Sequence, residues 1–207
     1  MYIPSHFQPP GDQAVADLLT GAGASDLVTW NGREMVATTL PLLYDPSRNV
    51  LEGHVARNNT QWRDTDALVI VKGPDAYVSP SAYQLDAVAG RTVPTWNYVV
   101  AHVYGTLIAH DDVEWTSDLV RRLTSRHEAG RDPEWSVDDA PPAYIAGQLR
   151  AIVGIEIAIS RIEAKWKLSQ NRSAADAAGV IEDLRSPSRG TDTERAVADA
   201  MDLSRRS

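Results

Sequence analysis

From Val153 to Leu168 the chain alternates polar and apolar residues, and halfway along the alternation changes phase. Val153, Ile155, Ile157 and Ile159 share one face of an extended strand, but beyond Ser160 the apolar set moves to Ile162, Ala164, Trp166 and Leu168 on the other. A one-residue shift turns every side chain over, so the strand must bulge or bend as it passes from one part of a curved sheet to another. Small barrels bend their strands in this way. The same strand ends on Lys165 and Lys167, two apart and therefore on one face, followed by Ser169, Gln170 and Asn171. Two ammonium groups so placed converge on an anion, while Gln170 and Asn171 offer amides to a heterocycle or a sugar-like chain. A solvated strand end with a polar turn accounts for the same residues.

The remaining segments supply the rest of a sheet. "DQAVADLLTGAG" sets Ala14, Val15, Leu18 and Leu19 at helical spacing, with Asp12 as N-cap and Gly21 near the stop. Asn31-Gly32 between β-prone runs predicts a tight hairpin, because both central residues of a type I′ turn need positive φ. Asp45-Pro46 marks a further turn, which gives a meander of antiparallel strands. Ala67 to Gly73 reads as a strand buried on both faces and ended by Gly73-Pro74; Asn97 to His110 reads as another long strand. Trp115, Leu119 and Leu123 recur every four residues along a helix, and Pro141 or Pro142 opens a second one. "SAADAAGVIEDLR" and "TDTERAVADAMDLSRR" form two closing helices around a hinge at Ser186 to Gly190, the last loosely attached. The expected fold is mainly β with peripheral helices, α+β in class and barrel-like, with residues 1–184 as the main domain and 185–207 as a helical tail.

Composition narrows the chemistry. The chain has no cysteine, which excludes disulfides, thiolate zinc sites, iron–sulfur clusters and a thiol nucleophile. No apolar run approaches the roughly 20 residues that cross a bilayer. The opening "MYIPSHFQPPGDQ" has no basic, apolar or cleavage region of an export signal, so the expected location is the cytoplasm. A net charge of −8 opposes non-specific attraction to nucleic acid. There is no convincing helix-turn-helix, P-loop, dinucleotide-binding glycine fingerprint, nucleophile elbow or H-x-x-x-H pair.

Two further polar groups stand out. "GHVARNNTQW" carries His54, Arg57, Asn58, Asn59 and Gln61 directly after a strand, a donor set that suits phosphate and equally an exposed loop anchored by Trp62. "VPTWNY" places Thr95, Trp96 and Asn97 before a strand, a pattern fit for a flat polar ring or for plugging a barrel end.

Taken in order, "MYIPSHF", "LPLL", "GHVARNN-QW", "ALVIVKGPDAYVSPSAY", "VPTWNY", "RLTSRHE", "VGIEI" and "KWKLSQNR" resemble the PaiB-type family of FMN-binding negative transcriptional regulators. Each motif is weak singly, and the ordered set is specific over Met1 to about Leu184. The resemblance implies a flavin-binding split β-barrel similar to that of pyridoxamine-phosphate oxidase, a homodimer, and FMN in a groove contacted by both copies. Carried over by position, Arg57 and Asn58 become phosphate or ribityl contacts, and Lys167 with Gln170 completes the site. Ser79, Thr95, Trp96 and Asn97 surround the ring system. The family pattern has histidine where this chain has Thr39, and tryptophan where it has Ala82. DNA binding follows by family analogy only. Catalysis stays open: an FMN-dependent oxidoreductase acting on a small molecule is one alternative, and a haem-related binding protein using His54, His102 or His110 is another.

Overall fold

The long phase-changing segment is a single strand, and the rest of the fold is arranged around it. The computed structural model describes residues 1–84, 90, 92–187 and 190–205. Among the described residues seven strands occur in chain order: β1 (Ala24–Trp30), β2 (Met35–Pro41), β3 (Leu43–Asp45), β4 (Val50–Ala56), β5 (Asp66–Val78), β6 (Thr95–His110) and β7 (Ile152–Lys167). The described helices are α1 (Asp12–Gly21), α2 (Val113–Glu128), α3 (Pro142–Arg150), α4 (Ala174–Arg185) and α5 (Asp192–Ser204). The expected α+β class, mainly sheet with peripheral helices, is what forms. No helix among the described residues is long and apolar enough to cross a membrane.

The chain divides into two compact units, one of Met1–Leu18, Lys72–Ala101 and Glu163–Ser207, the other of Leu19–Val71 and His102–Ile162. Along β7 the boundary falls next to Ser160 and Arg161, both exposed, where the apolar phase changes. Val153, Ile155 and Ile157 are fully buried on the near side, and Ala164, Trp166 and Leu168 are buried on the far side, as the alternation predicts.

In the unit built on Leu19–Val71, the strand order is β2-β1-β5-β6-β7-β4-β3. The pairs β1 with β2 and with β5, and β4 with β3 and with β7, are antiparallel. Only Leu42 separates β2 from β3, yet these strands stand at opposite ends of that order. Laid flat, six inter-strand steps of about 4.8 Å would part the edges by roughly 29 Å. A one-residue link spans at most about 7.6 Å between flanking Cα atoms. The sheet must therefore curl until its edges approach. The curl corrects the simple meander: two hairpins, β1–β2 and β3–β4, are kept apart in the order by the three long strands.

Close backbone approach inside this curl requires glycine. A Cβ on Gly105 would lie 2.3 Å from the carbonyl oxygen of Ala158, and one on Gly154 would lie 2.2 Å from the Trp115 ring. Cross-strand neighbours Glu52 and Glu156 are both buried and would repel, as directly opposed like charges do. Arg48 bonds both carboxylates, and Arg122 bonds Glu52 at 2.7 Å and Asp118 at 2.7 Å, so the acidic pair is neutralised from two sides.

Four local expectations change. Trp30 pairs with Met35, so the hairpin loop holds four residues rather than a two-residue type I′ turn. Gly32 alone in it has positive φ (89°), while the Asn31 side chain accepts from the backbone N–H groups of Arg33 and Glu34. β5 runs on through Gly73-Pro74 to Val78, and its burial alternates along Ala67, Val69 and Val71 instead of covering both faces. In the other unit, α5 is not loose. It buries Val197, Ala198 and Met201 completely, and Arg185 at the end of α4 bonds Asp199 at 2.6 Å and Asp202 at 2.7 Å. Asp12 opens the first turn of α1 from inside the helix, and residues 188–189 of the expected hinge lie outside the described residues.

Gly105→Ala should destabilise the protein by about 1–3 kcal/mol or more, because the obstructing atom is backbone. Gly21→Ala, with open space around its Cβ, should be neutral or slightly stabilising. Urea unfolding midpoints compare the two; equal midpoints for Gly105→Ala and the parent chain would deny the close approach.

Candidate functional site: a basic cavity at the end of β7

β7 delivers its two lysines differently. Lys165 is 9% exposed; its ammonium donates to the Tyr2 carbonyl at 3.2 Å and lies 5.6–5.8 Å from the ring centroids of Tyr2, Phe7 and Tyr98. Aromatic faces replace part of the hydration that burial removes. Lys167 is half-buried and donates to Thr95 Oγ1 at 2.7 Å and to the Trp96 carbonyl. Neither lysine is paired with a carboxylate among the described residues. Burial first, then the nearby charges of Lys165 and Arg172, hold the Lys167 ammonium below the usual lysine range.

Beyond β7 the chain turns on Ser169, a non-glycine residue at φ 63°. The turn is fixed by side chains: Gln170 Oε1 accepts from Leu168 N–H at 2.8 Å, Gln170 Nε2 donates to the Trp166 carbonyl at 2.7 Å, and Ser169 Oγ donates to Asn97 Oδ1 at 3.1 Å. A cavity of about 130 Å³ opens here, lined by Thr95, Asn97, Lys167, Ser169, Asn171 and Arg172 among others. The Arg172 guanidinium lies 4.8 Å from the Tyr83 ring centroid. Two cations, two hydroxyls and two amides around one cavity are the donor chemistry of a phosphate site. The volume suits a phosphate or a short chain and is below the roughly 300 Å³ of a whole-ligand pocket.

The sequence-selected residues separate accordingly. Thr95, Asn97 and Lys167 line this cavity, and the backbone of Trp96 borders it through Lys167. Gln170 is spent on the turn, and Ser79 caps the short 3-10 helix Pro80–Ala82. Asn97, 1% exposed, also reaches Met201 Sδ at 3.4 Å, which ties β6 to α5. Arg57 lies in the other unit, as does Asn58 in the turn after β4. The Arg57 guanidinium grips Asp111 through both ends at 2.6 and 3.0 Å and donates to the carbonyls of Arg150 (2.8 Å) and Ile152 (3.1 Å). A phosphate would compete with Asp111 for it. Asn59 caps the next turn and Gln61 bonds the carbonyls of Leu27 and Val36, so much of "GHVARNNTQW" serves the fold. Arg172 is the residue that sequence reasoning missed, although it ends the motif "KWKLSQNR".

Elsewhere, burial lowers the pKa of His54, and His110 stacks on Trp115 at 4.0 Å. A larger groove of about 390 Å³ beside α3 is lined mostly by apolar side chains, and its Arg121 is already bound at both ends by Asp138. Thr39 donates to Asp26 at 2.6 Å, and Ala82 is buried.

A sheet curled in this way, with a phosphate-sized basic cavity at a strand end, accords with a flavin-nucleotide binder. The family described as "Putative FMN-binding domain" matches residues 1–161, and the chain belongs to that family. The protease synthase and sporulation protein PAI 2 of Bacillus subtilis (strain 168) is 34% identical over 191 residues, 89% of each chain, which bears out the PaiB-type resemblance. Among solved structures, the FAD and heme binding protein from Mycobacterium smegmatis superposes with a TM-score of 0.59 at 16% identity, over 82% of this chain and 78% of that one. The flavocytochrome Anf3 from Azotobacter vinelandii gives 0.61 at 14% identity, over 82% and 74%. At those identities the likeness is one of fold.

The lowered Lys167 pKa fixes a pH dependence. In the window between the folded value and the unfolded value near 10.5, the unfolded chain holds a proton that the folded chain has lost, so stability rises with pH. Urea midpoints of the parent chain should therefore climb relative to Lys167→Met through that alkaline window. Added inorganic phosphate, which favours the ammonium, should shrink the difference; parallel curves for the two proteins would contradict the assignment.

Proposed function

We propose that this protein binds FMN with its phosphate in the Lys167–Arg172 cavity, and acts as a flavin-responsive member of the PaiB-type negative transcriptional regulator family. The observation that carries this reading is the gathering of Lys165, Lys167 and Arg172 at one strand end in a chain whose net charge is −8, with no carboxylate paired to either lysine among the described residues. The donor set fits a dianion. When bound, FMN would supply hydride or electron transfer, and the protein's part is to hold and orient it.

The cavity accepts one end of the cofactor, so the ribityl chain and ring need a further surface. Trp96 (53% exposed) and Tyr77 (38% exposed) meet edge to face at 6.0 Å between centroids in the same unit, an aromatic pair suited to a flat ring. Val93, also on this cavity, is 64% exposed. These apolar groups favour a split-barrel homodimer in which a second copy covers the ring. Asn58 and Arg57 keep their proposed roles as ribityl or phosphate contacts, Arg57 in competition with Asp111. The acidic net charge favours gene control through a partner or a small molecule over electrostatic capture of DNA.

Titration with FMN, followed by its visible bands, tests the site. Lys167→Ala and Arg172→Ala should each weaken binding by about 1.5–3 kcal/mol, roughly 10- to 150-fold, as loss of a charge-assisted contact does. Unchanged affinity in both would reject the cavity as the phosphate site. Asp111→Asn separates the Arg57 role: it frees the guanidinium and should leave affinity equal or higher, whereas Arg57→Ala should lower it. Retention of promoter DNA at physiological salt, measured beside NAD(P)H oxidation, distinguishes regulator from oxidoreductase.

A further inference from the structure

We propose that Lys167 is a reactive amine that accepts an acyl group from small acyl phosphates, and that the adjoining cavity seats the reagent. The chain uses cations unevenly: seventeen of its twenty are arginine, and its lysines are Lys72, Lys165 and Lys167. Arginine cannot lose its proton in a protein, so an amine nucleophile can arise at only three side chains. Of the three, Lys167 lines this cavity.

The geometry around Lys167 suits the neutral amine. A neutral amine has two N–H donors and one lone pair, and two acceptors stand beside Nζ, Thr95 Oγ1 at 2.7 Å and the Trp96 carbonyl. With both donors engaged, the lone pair remains as the free valence of a group that lines the cavity. Burial and the neighbouring cations raise the neutral fraction further. The cavity's 130 Å³ admits a reagent the size of acetyl phosphate, and Arg172, Asn171 and Thr95 on its wall supply the contacts a phosphate needs.

The step balances without a redox partner. The neutral Nζ attacks the carbonyl carbon, the C–O bond to phosphate breaks, and inorganic phosphate departs with the electron pair. The amine's surplus proton passes to phosphate or water, leaving an uncharged amide. Arg172 stabilises the departing anion. The chemistry stands independently of FMN, while its consequence rests on the proposed phosphate site: an acylated Lys167 no longer neutralises the FMN phosphate, so acyl phosphate would set the flavin occupancy of the protein.

The full chain, stripped of flavin or loaded with FMN, is incubated with acetyl phosphate and the acetylation rate of each lysine is read by peptide mass spectrometry. Exposed Lys72, which is not on the cavity, is the reference, and Lys165, enclosed by aromatic rings, reports on shielding. Lys167 should react about tenfold faster than Lys72 or more, because one charge-assisted contact concentrates the reagent by that order. The rate should saturate with acetyl phosphate, and Arg172→Gln should slow Lys167 without altering Lys72. Equal rates at Lys72 and Lys167, or an Arg172→Gln variant that reacts like the parent, would overturn the proposal. FMN protection is a separate readout. Fast acetylation that FMN does not slow would sink the phosphate-site reading alone, whereas sluggish acetylation in a chain that binds FMN normally would sink this inference alone.

Discussion

A strand in a strongly curled sheet cannot keep one face buried along its whole length, and β7 is built around that constraint. The one-residue link at Leu42 forces the edges of the sheet together, and glycines at 105 and 154 allow the inner surfaces to meet. Val153, Ile155 and Ile157 fill the interior, the chain surfaces at Ser160 and Arg161, and the opposite face is then buried through Ala164, Trp166 and Leu168. The phase change leaves Lys165 and Lys167 on the face that does not carry these apolar residues. The basic cavity is thus a consequence of how the barrel-like sheet is made, and needs no separate motif to position it.

The chain treats buried charge in two ways, and the contrast separates scaffold from site. Glu52 and Glu156 sit opposite each other within the sheet, and Arg48 and Arg122 neutralise them with direct bonds. Such a cluster, satisfied by its own members, holds the fold and leaves little to offer a ligand. At the end of β7 neither lysine meets a carboxylate among the described residues. Lys165 is sheltered by aromatic faces and a carbonyl, Lys167 by a hydroxyl and a carbonyl. Burial first, and then the charges of Lys165 and Arg172, lower the pKa of Lys167.

Much of this was legible in the sequence, for identifiable reasons. The alternation in Val153–Leu168 is a period-two signal strong enough to give both the strand and its change of face, and the ordered motifs gave the family. Other features were hidden because they depend on distant partners. Asn31-Gly32 marks a turn, but loop length was set by the Trp30–Met35 pairing and by the Asn31 side chain capping two backbone donors. Pro74 reads as a stop, yet β5 continues through it. Gln170 and Ser79 have ligand-like chemistry in the sequence, and the fold spends it on local backbone. Arg57 looked free to meet phosphate because Asp111, 54 positions away, gives no sequence sign of being its partner. Arg172 was overlooked because only the left-handed turn at Ser169 brings it onto the cavity wall.

The proposed role of the cations at the end of β7 is to neutralise the phosphate of a flavin nucleotide. Comparing FMN with riboflavin, identical except for that phosphate, isolates their contribution. In the parent chain FMN should bind roughly 10-fold or more tightly than riboflavin, and in Lys167→Gln the gap should largely close while riboflavin affinity stays the same. Equal affinities for the two ligands in the parent chain, or a gap untouched by the substitution, would contradict the account.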